Sequence, residues 1–368
     1  MGVERIGHGA IFADDGPRGE RVIRRLRGLS IEILAFVLVT LLLPLLIPVA
    51  LLVDLALWVL RRKPWMAIRL LAIGWLFLAI EMRALAGVAW IWVSAGGPLG
   101  RGSDRRRRGV YDLRIRWASL HLAGISKVLG LRYEVDGLAL AGPGPVVIMI
   151  RHASIIDNLL PDSLIASEHG LGLRYVIKRE LQIIPTIDIA GRWVPTNFVR
   201  RASGDTEGEV KRLRLLAHDL GLDEGILIYP EGTRHTVAKL SRAKEKIAAS
   251  QPDIAPLADR LQNLLPPRLG GPLALLEEAE GIDVVFCAHV GFDGFEKVSD
   301  VWSGALVGET IRVRFWRFPA SEVPAEPDAQ ARWLYERWQE LDDWIGAVRS
   351  DAAAPPDAVG APAGGVSP

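Results

Sequence analysis

The sequence predicts an α/β fold, a mostly parallel or mixed sheet flanked by helices, preceded by an N-terminal membrane helical hairpin. Three observations predict it. From about residue 115 onward, short apolar runs alternate with helical segments. Ahead of them stands Ile33 to Val53, 21 residues without a charge. Half of the 368 residues are hydrophobic, yet 24% are charged, so a soluble-type domain is joined to an apolar segment.

The hairpin follows from length and flanking charge. At ~1.5 Å per residue, a helix over Ile33 to Val53 matches the ~30 Å hydrocarbon core of a bilayer. It is too long and too far from the N-terminus for a signal peptide. Pro44 and Pro48 predict a kink. Arg61, Arg62, Lys63 and Pro64 break the run. A second apolar stretch follows in two pieces, Leu70 to Ile80 and Ala84 to Val93, interrupted by Glu81 and Arg83. Trp58, Trp65, Trp75, Trp90 and Trp92 suit a membrane interface. Arginines before the first stretch and after the second predict that both ends of the hairpin are cytoplasmic, and its depth stays open. The predicted division is a polar basic segment over 1–28, the membrane-associated hairpin over 29–100, a catalytic domain over 101–349 and a disordered tail over 350–368.

Within the domain, strands are predicted at Leu131 to Asp136, Val146 to Ile150, Leu173 to Ile177, Gly225 to Ile228, Val284 to Val290 and Ile311 to Phe315. Helices are predicted over Asp157 to Ser167 and Asp205 to Leu220. A basic helical insertion runs from Ala238 to Gly271. A final amphipathic helix, residues 329–346, gathers Trp333, Leu334, Trp338, Leu341 and Ile345 on one face. Gly142-Pro-Gly-Pro145 is a turn and not a nucleotide-binding loop, because its prolines remove the N–H donors such a loop needs.

Charge and cysteine content narrow the function. Residues 1–118 hold 18 basic and 9 acidic side chains, although the whole chain carries only +1. A basic, apolar N-terminal third fits anionic lipid headgroups. Nucleic acid fits poorly, because the basic residues flank apolar stretches. The single cysteine, Cys287, lies in a predicted buried strand and is not assigned a catalytic role. No paired-ligand spacing supports a metal site. His121, His169, His218, His235 and His289 read as surface or core histidines.

Two constellations carry the chemistry, and each directly follows a predicted strand. The first is Arg151-His-Ala-Ser-Ile-Ile-Asp157. Five residues apart in a regular helix, a His and an Asp differ by about 140° and share no face. His152 and Asp157 can therefore meet only if His152 sits in the strand-to-helix turn and Asp157 in the first helical turn. There the carboxylate accepts from one imidazole nitrogen and leaves the other as a base. The second is Tyr229-Pro-Glu-Gly-Thr-Arg234. Gly232 lets the backbone approach a ligand, and Arg234 offers a planar fork that suits phosphate.

Together, His-x4-Asp and Pro-Glu-Gly-Thr-Arg resemble the glycerol-3-phosphate and 1-acyl-glycerol-3-phosphate acyltransferase superfamily, over roughly residues 115–345. Lys178-Arg-Glu-Leu-Gln-Ile-Ile-Pro185 looks like that family's second block, and Val284 to Val290 lies where it has a strand completing the acceptor pocket. Leu264-Leu-Pro-Pro-Arg268 and Trp333-Leu-Tyr-Glu-Arg-Trp338 look like the branch with lysophosphatidic acid and lysocardiolipin acyltransferases. Arg151 replaces the family's usual Asn and Ile156 its frequent aromatic, departures that leave the chemistry intact and the acceptor open.

The resemblance implies a glycerol-3-phosphate acyltransferase-like sheet and transfer of a fatty acyl group to the free hydroxyl of 1-acyl-glycerol-3-phosphate. His152 would be the general base and Asp157 its partner. Arg234, with Lys178 and Arg179, would bind the phosphate in a pocket shaped by Glu231, Gly232 and Thr233. Arg151 would face either phosphate or donor, or solvent. No cofactor or metal is implied; acyl-CoA or acyl carrier protein enters as the donor substrate. The implied partners are membrane lipids and the lysophospholipid acceptor. The implied place is the cytoplasmic face of a membrane, with arginine outnumbering lysine in the manner of a GC-rich bacterial genome. Another lysophospholipid such as lysocardiolipin, or a silent lipid-binding role, are the alternatives. Oligomeric state is left open.

Overall fold

The computed structural model describes residues 17–100, 103–199, 206–293 and 298–353. Most of the predicted N-terminal segment, the predicted helix start at Asp205 and the tail from residue 354 lie outside the described residues. Helix α1 (Arg18–Arg61) is a single helix of 44 residues, and Pro44 and Pro48 lie inside it without ending it. It closes at Arg62, whose left-handed φ of 51° lets its N–H reach back to the Trp58 carbonyl. Helix α2 (Ala67–Ser94) joins the two predicted pieces into one. The Asp54 carboxylate caps its start, accepting from Ala67 N–H at 2.8 Å and Ile68 N–H at 2.9 Å.

Glu81 does not interrupt α2, because both of its carboxylate oxygens find donors. Trp117 donates its indole N–H at 2.6 Å and Thr186 its hydroxyl at 2.8 Å. Trp117 belongs to α3 (Asp104–Leu129), a helix that the hydrophobic pattern does not announce. Its arginine-rich start conceals a buried stripe of Val110, Tyr111, Ala118, Leu122 and Leu129. Ser103 caps it at one end and Gly130, at φ 73°, at the other. Arg69 meets Val128, Glu81 meets Trp117, and Gly87 faces Leu113, so α2 and α3 pack antiparallel along their length.

The hairpin therefore lies along the domain instead of projecting from it. Met66 at its tip is buried with Leu122 and Leu129, and Pro64 packs on Gly304. At the other end, Gly28 packs on the Ile183 carbonyl. Nearby, Arg24 and Arg25 pair with Asp188 at 2.9 and 3.0 Å. Asp188 lies in the short helix α4 (Pro185–Ala190).

The sheet has seven strands: β1 (Arg132–Asp136), β2 (Val146–Ile150), β3 (Gly172–Lys178), β4 (Thr196–Val199), β5 (Glu224–Ile228), β6 (Asp283–Val290) and β7 (Thr310–Phe318). Their order is β1-β7-β6-β2-β5-β3-β4. β6, β2, β5, β3 and β4 are parallel; β7 runs antiparallel to β6, and β1 follows β7. The sheet is thus mixed, as expected. The short edge strand β4 is not among the predicted strands, because four residues beginning Thr-Asn give little periodicity.

β2 is buried at all five residues, which its unbroken apolar sequence requires. Five helices follow in the chain: α5 (Thr206–Ala217), α6 (Val237–Ser250), α7 (Ala255–Arg260), α8 (Gly270–Glu278) and α9 (Pro327–Ala353). Val147 and Met149 face one core, beneath α5, α7, α8 and α9. Val146, Ile148 and Ile150 face the other, beneath α3 and residues 156–166. From β2 the chain crosses β5 to reach β3; from β5 it crosses β2 to reach β6. Neighbouring strands whose connections leave in opposite directions open a crevice at their carboxyl ends.

Candidate active site

Both sequence blocks open into that crevice. Past Ile150 the ladder continues for one residue, with Arg151 N–H donating to Cys287 O at 3.0 Å. The chain then leaves the sheet and turns. The predicted helix over Asp157 to Ser167 is irregular: a tight turn at Ile156–Leu159, then a wide π-turn at Pro161–Ala166 and a last helical turn to His169. Pro161 has no N–H to continue a regular ladder.

This turn lets His152 meet Asp157. His152 Nδ1 lies 3.1 Å from Asp157 Oδ1. The other oxygen accepts from Ala153 N–H and Ser154 N–H, both at 2.7 Å. Ser154 Oγ in turn accepts from Ile156 N–H at 3.1 Å, so serine and aspartate both cap the turn, much as in a capping box. Bonds of this charge-assisted kind contribute roughly 1.5–3 kcal/mol each. The fully buried carboxylate is thus fixed by the backbone before it fixes the imidazole. With Nδ1–H donating to Asp157, Nε2 carries the lone pair. Tyr229 packs its ring on the imidazole, centroids 4.6 Å apart.

The second block wraps the same histidine. Glu231 Oε1 accepts from His152 N–H at 3.1 Å, and His152 O accepts from His235 N–H at 3.0 Å. Glu231 is buried, and desolvation pushes its carboxyl up to about 8 against the pull of the His152 N–H and Arg151. Glu231 therefore braces the backbone at His152. Gly232 has a left-handed φ of 64°, a conformation that favours glycine. Thr233 and Arg234 are half-buried, and Lys239 Nζ donates to Thr233 Oγ1 at 3.3 Å and Arg234 O at 2.7 Å. Lys178 ends β3 on the same edge, one strand beyond β5, and Arg179 opens the turn that follows.

A family model described as Acyltransferase matches residues 132–258, a span that holds both blocks. Among curated proteins, the chain is 26% identical over 209 residues to 1-acyl-sn-glycerol-3-phosphate acyltransferase epsilon of Mus musculus, covering 54% of this chain and 56% of that protein. It is 29% identical over 205 residues to the gamma enzyme of Mus musculus, covering 55% and 52%. The chain thus resembles acyltransferases over part of its length. It spans about half the length of the curated relatives it matches. A crystal structure of the 1-acyl-sn-glycerophosphate acyltransferase PlsC from Thermotoga maritima aligns over 77% of this chain and 98% of that one, with 12% identity and a TM-score of 0.48.

Arg151 stands differently from what the sequence predicts, and His289, buried as a core histidine, does more than fill space. Arg151 faces neither solvent nor a ligand. It is fully buried and donates to His289 O and to the Asp293 carboxylate. Burial pushes Asp293 up, but Arg151 and Arg349 outweigh it and hold it at about 2. His289 is no ordinary core histidine. Its Nε2 lies 3.3 Å from Arg151 O and 3.6 Å from Asp157 Oδ2, so a second imidazole flanks the aspartate. Desolvation lowers His289 to about 4, which keeps it neutral. Its position opposite Asp157 depends on the pairing of β6 with β2, which no local spacing announces.

Two lysines of the basic insertion turn inward, while Arg242 and Lys246 are exposed. Lys239 serves the arginine-bearing loop, and Lys244 donates to Asp259 O at 2.8 Å. Cys287 is buried, and desolvation pushes the thiol far above its ordinary range.

Proposed function

We propose that the protein transfers a fatty acyl group from acyl-CoA or acyl carrier protein to the free hydroxyl of 1-acyl-glycerol-3-phosphate, giving phosphatidic acid. One observation carries this reading: a histidine held by a buried aspartate at the sheet's carboxyl edge, wrapped by an arginine-bearing loop. The names of the mouse relatives point to the same acceptor.

A hydroxyl is a poor nucleophile until a base takes its proton, and a positioned base contributes about 10²–10⁴-fold. His152 Nε2 accepts the hydroxyl proton as the oxygen attacks the thioester carbonyl carbon. The imidazolium is stabilised by Asp157, whose Oδ1 lies 3.1 Å from Nδ1. The tetrahedral intermediate collapses, the C–S bond breaks, and the proton passes from Nε2 to the leaving sulfur. A free thiol has a pKa of roughly 8.5, so thiolate leaves readily. Direct transfer needs no acyl-enzyme. Arg234, with Lys178 and Arg179, binds the acceptor phosphate.

The hairpin supplies the membrane contact. Both helices are long and apolar enough to cross a bilayer, and along α1 most of the leucines face outward. Because the hairpin's tip and both ends pack on the domain, a shallow seat in the cytoplasmic leaflet, of a bacterial inner membrane, fits better than a span. Incubating the purified protein with mixed lysolipids and isotope-labelled acyl-CoA, with mass spectrometry of the products, tests the reading. Labelled phosphatidic acid as the main product is expected; label confined to another lysolipid's product, or to none, would overturn it.

A further inference from the structure

The segment Leu264-Leu-Pro-Pro-Arg268 takes no part in the chemistry above, yet it is firmly held on two sides. From α9, the Asp342 carboxylate accepts from the backbone N–H groups of Gln262, Asn263 and Leu264 at 3.0, 2.7 and 2.7 Å. Trp338 donates its indole N–H to Leu265 O at 3.0 Å, and two prolines fix φ within the segment. On its other side it is tied to the arginine-bearing loop. Arg268 N–H donates to Pro230 O at 2.9 Å, and the Leu265 N–H pulls on the Glu231 carboxyl.

Leu264, Leu265, Pro266 and Pro267 are buried, and Arg268 is exposed. Its side chain lies over Gly232: a Cβ there would come within 3.0 Å of Arg268 Cδ, 3.1 Å of Nε and 3.2 Å of Cζ. The glycine thus makes room for a guanidinium of this protein, two residues before Arg234. The 14-residue helix α6 begins just beyond, and its N-terminus adds positive potential to the same loop.

We infer that Arg268 is a specificity-determining residue: with Arg234 it forms a two-guanidinium clamp that selects a phosphomonoester headgroup over a phosphodiester. A phosphomonoester carries about −1.5 to −2 charges at pH 7, against one for a diester, and a second fork matches the second charge. Arg268 has this role only if the acceptor is a lysophosphatidate, as proposed above.

The test compares wild type, Arg268→Gln and Arg268→Lys with palmitoyl-CoA and two acceptors, lysophosphatidic acid and lysophosphatidylglycerol. Arg268→Gln is expected to raise KM for lysophosphatidic acid about tenfold, with kcat changed less than about threefold, since tenfold corresponds to one lost charged contact of ~1.4 kcal/mol. The diester's KM should move by less than a third of that factor, and Arg268→Lys should recover part of the loss. A loss equal on both acceptors, or none on lysophosphatidic acid, overturns the clamp while leaving the proposed reaction standing. Wild type without any transfer to lysophosphatidic acid overturns the proposed reaction and the clamp with it.

Discussion

The hairpin and the crevice at the strand ends both bury carboxylates, and they differ in what those carboxylates hold. In the hairpin, Glu32 Oε2 is buried without a hydrogen-bond partner among the described residues, whereas Asp54 and Glu81 each have both oxygens paired with donors of the protein. At the crevice, Asp157 is equally satisfied, but Glu231 Oε2 and His289 Nδ1 are buried without a hydrogen-bond partner among the described residues. Asp54 and Glu81 hold backbone, indole and hydroxyl donors and so tie helices together, whereas Asp157 also holds an imidazole and so sets which ring nitrogen carries the proton. The hairpin is also inverted relative to the domain. It buries Glu32 and Asp54 while exposing Leu41 by 73% and Leu60 by 78%. Such a pattern is stable beside an apolar medium and adverse in water.

The largest effect that can break this comparison lies at Asp157. Replacing Asp157 with Ala should lower kcat by about 10²–10⁴-fold, because the imidazole loses its tautomer and its counter-charge. Steady-state acyl transfer measures it, and a loss below about tenfold would place Asp157 with the structural carboxylates. Next come the exposed leucines. The double substitution Leu41→Ser and Leu45→Ser should weaken sedimentation with anionic lipid vesicles about tenfold or more, since each buried apolar side chain contributes roughly 1.5–3 kcal/mol. Turnover on detergent-dispersed substrate should stay near wild type. Unchanged vesicle binding would remove the membrane role from α1.

Glu231 gives a smaller and more diagnostic effect. A neutral carboxyl is mimicked by an amide, so Glu231→Gln should keep activity within about tenfold at pH 7, while Glu231→Ala falls further. An equal loss in both would argue for a carboxylate acting as a charge. The smallest effects are on stability against pH. The raised Glu231, about 8 against 4.5, means stability falls as pH rises from about 4.5 to about 8, as the unfolded chain releases a proton that the fold retains. The lowered His289, about 4 against 6.5, means stability falls as pH drops from about 6.5 to about 4, as the unfolded chain takes up a proton that the fold refuses. Chemical denaturation across pH should show Glu231→Gln flattening the first slope and His289→Asn the second. Unaltered slopes would show that neither group is held as described.

What is legible in the sequence is what is local. His152 and Asp157 lie in one turn, and Glu231 through Arg234 in another, so each block can be read without knowing the sheet. The six predicted strands all form, and β2, β5 and β6, buried almost throughout, are read from near-continuous apolar sequence. What is not legible depends on distant partners. Arg151 reads as polar, yet its burial is decided by Asp293 and the His289 carbonyl on β6. Tyr229 shares a motif with Arg234, but its contact with His152 exists only because β5 lies beside β2. Helix α3 is hidden by its charged first turns. Helix α2 looks broken at Glu81 because the donors, Trp117 and Thr186, lie on other elements.

The central claim is that His152, oriented by Asp157, takes the acceptor's proton. The most direct measurement is acyl transfer from labelled acyl-CoA to lysophosphatidic acid by purified His152→Ala protein, alongside its binding to anionic vesicles. A turnover lowered by about 10²–10⁴-fold with vesicle binding intact is the predicted result. Wild-type turnover in that variant would contradict it.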